Sequence, residues 1–110
     1  TRIHNFVLGI GLRLLKNKHQ IKLVRFDFFG TFNNLLDTAS EQGFTNSTEG
    51  CFSQATSSFN PACNFGASFS QFVFFDEIHP TTRAHSFLGN IVADEIAVAF
   101  RRQLFARQAL

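Results

Sequence analysis

At 110 residues the chain has room for one small domain with a single core. Ten Lys and Arg against eight Asp and Glu leave a formal net charge of +2, and the basic residues are scattered rather than striped, which argues against a nucleic-acid-binding face. The apolar runs fall far short of a membrane span, and two cysteines with neither a Cys-x-x-Cys nor a neighbouring His pair fit no zinc pattern.

In chain order, Ile3, Phe6, Val7, Ile10, Leu14 and Leu15 recur at helical spacing and predict a first helix, weakened by Gly9 and Gly11. The chain opens on "TRIHNFV" as if inside that helix, and no signal peptide is visible. "RLLKNKHQIK", Arg13 to Lys22, is the densest basic stretch and reads as a solvated helix end and loop. "IKLVRFDFF", Ile21 to Phe29, alternates and then turns wholly apolar, which predicts a strand with Asp27 near its C-terminal end. "TFNNLLDTASEQG" follows as a short helix, with Thr31 as N-cap and Gly43 as the stop.

Residues 43–71 are rich in Ser, Thr, Asn and Gly, and they predict a long loop of the functional or mobile kind. Both cysteines, Cys51 and Cys63, lie in it. A disulfide between them would stabilise the chain by roughly 3 kcal/mol in the chain-entropy model and would imply an oxidising compartment; two free thiols are the alternative. Asn46-Ser47-Thr48 is an N-glycosylation sequon if the source is eukaryotic. "QFVFF" is a second strand, uniformly apolar as a strand buried on both faces would be. From Thr81 to about Gln103 runs the strongest helix, with Ala84, Phe87, Leu88, Ile91, Val92, Ile96, Ala99 and Phe100 on one face.

The order of helix, strand, helix, long loop, strand and helix predicts an α/β fold with parallel strands. It divides into helix-strand-helix over 1–42, the cysteine loop over 43–71, and strand, acid–histidine turn and final helix over 72–110. Two strands cannot form a doubly covered sheet, so the expected sheet is incomplete within this chain. The aromatic set is also unusual, with 16 Phe and no Tyr, Trp or Met. Tyr and Trp ordinarily fill half-wet positions, so some of these positions are expected to be Tyr or Trp in the natural protein; no reading below depends on Phe rather than Tyr.

The chemistry concentrates in "FVFFDEIHPTTRAHSF". In open parallel sheets ligands bind beyond the carboxyl ends of the strands, and Asp76 follows "FVFF" directly, with His79 in the same turn. A carboxylate so placed can hold an imidazole in one tautomer and stabilise the imidazolium formed when it takes a proton. The plain alternative is chance spacing, or a His that only caps a helix. Asp27 reads as a structural residue before a substrate contact, and Glu77 as pointing to solvent. His4 reads as an interhelical hydrogen-bonding group, His19 as a surface residue and His85 as structural.

"FFDEIHPTTRAHSFLGNIVADEI" closely resembles the last conserved block of the GDSL, or SGNH, hydrolases. There an Asp-x-x-His element, followed by Pro and Thr or Ser, supplies the catalytic acid and base; Asp76, His79, Pro80 and Thr81 match it. "IHNFVLGIGLRLL" followed by "IKLVRFDFF" is similar to that family's helix and penultimate strand. "LLDTASEQGFTNSTEGC" is similar to the branch of secreted lipases, phospholipases A, lysophospholipases, thermolabile haemolysins and glycerophospholipid–cholesterol acyltransferases.

The resemblance implies the C-terminal part of a flavodoxin-like three-layer sandwich, with Asp76 and His79 catalytic and neither metal nor organic cofactor. The family's Gly-Asp-Ser nucleophile block and Gly-x-Asn-Asp oxyanion block do not occur here; "FGTFNN" has Gly and Asn but follows the wrong strand, and the eight serines lack the required turn. The nucleophile is therefore expected on a segment or chain outside these residues. The partners expected are lipid esters and, transiently, a membrane or lipid surface, in a secreted or periplasmic protein. An exposed, Ser-rich, disulfide-closed loop is also expected to be open to proteases and to regulate access to the lipid site. One rival is an inactive scaffold or partner chain that keeps the hydrolase fold. The other, a free-standing Phe-rich lipid-surface module, conflicts with the core spacing of the Phe residues.

Overall fold

The structure, a computed structural model, describes residues 1–64, 66 and 68–109. Its elements are α1 (Arg2–His19), α2 (Phe28–Asp37), β1 (Asn46–Gly50), β2 (Phe52–Ser53), β3 (Ser58–Phe59), a 3₁₀ turn (Phe69–Gln71), β4 (Phe72–Phe74) and α3 (Thr82–Gln108). The fold is mixed, with β1 and β4 forming a small parallel pair and β2 and β3 an antiparallel hairpin.

The strand expected over Ile21 to Phe29 is not formed. Residues 21–27 link α1 to α2 without a ladder, and Phe28 and Phe29 belong to α2. A strand needs a neighbour to take its backbone N–H and C=O groups, and no described segment lies beside this one as a ladder partner. α2 starts earlier than Thr31 because Asp27 caps it, its Oδ1 accepting from Gly30 N at 2.9 Å. That gives Asp27 a structural role as the cap of α2. Gly43, at φ +78°, ends the turn after α2 rather than the helix itself.

β4's partner comes instead from the segment expected to be loop. β1 pairs with it in the register Asn46↔Phe72 and Gly50↔Phe74, so four steps of β1 oppose two of β4. The surplus forms a bulge at which Thr48 and Glu49 are exposed. Asn46 Oδ1 stabilises it by accepting from Thr48 N at 3.1 Å and Glu49 N at 2.9 Å. The pairing continues beyond Gly50, where Cys51 N donates to Phe74 O at 3.2 Å and Phe52 N to Phe75 O at 2.7 Å.

The core joins Leu35 and Ala39 of α2's side, Phe44, Val73 of β4, and Ala84 and Leu88 of α3. A second cluster is Cys51, Cys63 and Phe72, with Phe69 against it. α3 buries only its first two turns; Ile96, Val98, Phe100, Leu104 and Phe105 are exposed, as are Ile3, Phe6, Val7 and Leu14 of α1. A compact chain of this length has a radius of gyration of about 13 Å, whereas this one measures 18.5 Å with extents of 60 × 30 × 19 Å. Two apolar helix faces thus stand uncovered among the described residues.

What fixes the start of α3 also fixes the end of β4. Thr81 is the N-cap, its Oγ1 accepting from Ala84 N at 3.3 Å and donating to Phe72 O at 2.8 Å, while Thr81 N donates to Val73 O at 2.8 Å. Arg83 then holds three carbonyls, those of Gln42, Gly43 and Ser70, at 2.7 to 3.0 Å, and stacks over Phe44. Replacing Thr81 by Val keeps the shape but strands a buried carbonyl and uncaps the helix. We expect a loss of roughly 1–3 kcal/mol in urea unfolding, and a loss below the scatter of the measurement would mean that the cap is idle.

Candidate active site

β4 delivers its chain into a closed turn. Phe75 N donates to His79 O at 2.7 Å, and Phe74 bridges to Pro80, so residues 75–79 return on themselves before α3 begins. Inside this turn the Asp76 carboxylate faces inward. Its Oδ1 accepts from Ile78 N at 2.9 Å and His79 N at 2.7 Å. The His79 ring lies on the same carboxylate, Nδ1 at 2.9 Å from Oδ1 and 2.8 Å from Oδ2. Gln54 Nε2 donates to Oδ2 at 2.8 Å.

These donors hold Asp76 well below the usual carboxylate range, the Ile78 backbone N–H contributing most and the His79 ring next, in opposition to desolvation; the His79 N–H and Gln54 add to the effect. An ionised carboxylate only accepts hydrogen bonds. Nδ1 must therefore carry its proton, which leaves the Nε2 lone pair as the ring's base. The side chain of Asp76 is 4% exposed and that of His79 63%, so the acid is enclosed while the base faces outward. Such a pair can orient and charge-stabilise an imidazole during proton transfer.

The structure unites Asp76 and His79 and closes Cys51 to Cys63 as a disulfide, with Cα atoms 5.3 Å apart and both cysteines buried. Among the described residues the His79 ring bonds to Asp76 and not to a serine hydroxyl. His85 Nδ1 sits 3.1 Å from Thr81 O, a helix-end role. His4 is exposed on α1 and not interhelical, and His19 is exposed too. Among the described residues no group of three or more His, Cys, Asp or Glu could hold a metal ion. A cavity of about 880 Å³ lies between α1, residues 24–29 and α2, away from Asp76 and His79.

Glu77 is exposed, as the sequence predicts, and is also engaged: its Oε1 accepts from Gln54 N at 3.0 Å. Its own backbone N–H lowers its pKa most, against desolvation, with the Ser53 hydroxyl and Gln54 N–H adding. Two residues of this site escaped the sequence, Gln54 and Gly50. Gln54 gives no signal in a polar stretch. Gly50 beside Cys51 does: a Cβ there would meet the Asp76 backbone at 2.7 to 2.9 Å, so only Gly lets the two segments touch.

No family model matches the chain. The GDSL esterase/lipase APG of Arabidopsis thaliana is 33% identical over 82 residues, which are 69% of this chain and 23% of that protein. A second Arabidopsis GDSL esterase/lipase is 31% identical over 94 residues, 80% of this chain and 23% of the relative. A third is 29% identical over 79 residues, 68% and 22% of the two lengths. The chain belongs to the GDSL family. It spans about a quarter of the length of these relatives (22–23%), all named esterases/lipases.

This GDSL segment makes two expectations measurable. Gly50→Ala should cost about 1–3 kcal/mol in chemical unfolding, since the neighbouring atoms are backbone and cannot step aside. Asp76, whose folded pKa is depressed, contributes stability that is complete above the ordinary carboxylate value of about 3.9 and is lost as pH falls below it. Asp76→Asn should therefore flatten the acid side of the stability–pH curve, and an unchanged acid side would show that the four donors do not favour the ion.

Proposed function

We propose that Asp76 and His79 are the acid–base part of a serine esterase acting on lipid esters, with the nucleophilic serine and the oxyanion-binding Gly and Asn supplied from outside these 110 residues. The observation that carries this is the His79 ring, Nδ1 fixed on a buried carboxylate and Nε2 open, at the carboxyl end of a parallel strand pair. His79 Nε2 takes the serine proton as the hydroxyl attacks the ester carbonyl. It then returns that proton to the leaving alcohol, giving an acyl-serine. Water, activated by the same nitrogen, releases the acid; an alcohol in its place gives acyl transfer. Asp76 stays ionised throughout and keeps the imidazolium in place. This chemistry is complete without a metal or organic cofactor.

The remainder of the fold, on this reading, is the flavodoxin-like three-layer sandwich of the family. Strands outside these residues would extend the parallel pair and engage residues 21–27. Helices and loops would cover the exposed apolar faces of α1 and outer α3. The Cys51–Cys63 disulfide favours a secreted or periplasmic setting, where lipid surfaces present the substrate. A second reading, an inactive scaffold retaining the hydrolase fold, is favoured by one observation: among the described residues, the His79 ring is seated on Asp76 and not on a serine.

Kinetics on the intact natural protein separate the two readings. With a soluble short-chain ester, His79→Ala and Asp76→Asn should each lower kcat by about 10³-fold or more while the protein stays folded. Activity at the wild-type level in both variants would remove Asp76 and His79 from the chemistry. No esterase activity in the wild-type protein would favour the scaffold.

A further inference from the structure

We propose that Gln54 is a positioning residue for the acid–base pair, and that the disulfide loop exists in part to hold it there. The inference rests on the reading of Asp76 and His79 given above. Every other donor to Asp76 is local: Ile78 N, His79 N and the His79 ring all belong to the same turn. Gln54 comes from 22 residues earlier and reaches Oδ2, the oxygen that no backbone group touches. The two backbone donors pin Oδ1 alone, so the carboxylate plane could still pivot about it. The Gln54 amide removes that freedom, and with it the freedom of the imidazole seated on both oxygens.

The chemistry of the donor matters as much as its reach. A carboxamide is neutral, so it fixes Oδ2 without cancelling the charge that the imidazolium needs. Lys or Arg would compete with His79 as an ion partner, and Glu would set a second negative charge against the first.

Gln54 is itself held by successive contacts to the same turn. Its N–H is bound by Glu77 Oε1 at 3.0 Å. Phe52 N bonds Phe75 O at 2.7 Å, and the Phe52 ring stacks on Phe75 at 6.1 Å and meets Phe59 edge-on at 5.1 Å. Cys51 N bonds Phe74 O and Asn60 N bonds Cys51 O, and the disulfide closes the loop behind them. The segment 51–54 therefore extends the parallel pairing past the end of β4 and along the acid–histidine turn. Opening the disulfide frees the far end of the β2–β3 hairpin and loosens Gln54 without breaking a bond inside the turn.

The test uses the intact natural protein as wild type, Gln54→Ala, Gln54→Glu, a Cys51→Ala/Cys63→Ala double variant and its combination with Gln54→Ala. Two quantities are read: kcat and KM on a soluble short-chain ester, and the titration midpoint of His79 from its ring NMR signals. Gln54→Ala should lower kcat about 10-fold with KM within about two-fold. Gln54→Glu should raise the His79 midpoint and move the acid limb of kcat to higher pH, because added negative charge favours the imidazolium. Loss of the disulfide should lower kcat in the wild type but far less in Gln54→Ala, since both changes remove one constraint.

A His79 midpoint identical in wild type and Gln54→Glu overturns the proposal, as does a fully additive loss in the combined variant. The NMR arm also separates the two levels of inference. If His79→Ala keeps wild-type kcat while Gln54→Glu still shifts the midpoint, the acid–base reading fails and the Gln54–Asp76 link stands. If His79→Ala is inactive and the midpoint does not move, the Gln54 proposal alone fails.

Discussion

A carboxylate taken out of water has to be given donors, and meeting that requirement for Asp76 organises this end of the molecule. Asp76 is almost wholly enclosed, and its two oxygens accept from Ile78 N, His79 N, His79 Nδ1 and Gln54 Nε2. An isolated buried ion would cost several kcal/mol or more; with these donors the charged form becomes the favoured one. Two of the donors are backbone groups of the next few residues, so the chain must fold back immediately after β4. That return brings Pro80 against Phe74 and sets Thr81 in position to cap α3. The spacing from Asp76 to His79 and the Pro-Thr that follows are thus one geometric solution, in which strand end, acid turn and helix start share hydrogen bonds.

The same constraint reaches the neighbouring strand. β1 bulges at Thr48 and Glu49 and then lies so close to Asp76 that only Gly50 is admissible. Beyond it, the disulfide joins the buried Cys51 and Cys63 across the hairpin that carries Gln54. Opposite this well-determined end, α1 and the outer half of α3 hold exposed apolar residues that nothing among the described residues covers. Packing in this chain is therefore graded. It is densest around the acid–histidine turn and the small core, and thinnest where the helices leave them.

What could be read from the sequence follows this gradient. Asp76, His79, Thr81 and the helix beyond were legible because each depends on residues within one turn of itself. The strand pattern of Ile21 to Phe29 was legible as a pattern, but pairing is not local, and without a neighbour the segment makes no ladder. The opposite error hid β1. Asn46–Gly50 has no apolar alternation, since its pairing rests on backbone bonds and a side-chain-stabilised bulge rather than on a buried face. Gln54 was invisible for the same reason, a polar residue in a polar loop whose meaning lies in a partner 22 positions away. Glu77 looked solvated because it is exposed, yet its carboxylate is the anchor for Gln54 N.

The exposure of His79 bears on how the remaining chemistry must be arranged. On the proposed reading the acid and base are already in register within this segment, so orientation of the imidazole would not wait for the nucleophile. The ring is nonetheless 63% exposed, and in water a proton transfer to Nε2 gains little from nearby dipoles. On that reading, whatever supplies the proposed serine would also have to exclude solvent from that nitrogen, which would strengthen the Asp76–imidazolium attraction where it is now weakest. Orientation and desolvation would then come from different stretches of the protein. The first is a property of the turn and its disulfide-held neighbour, and the second belongs to the surface that closes over them.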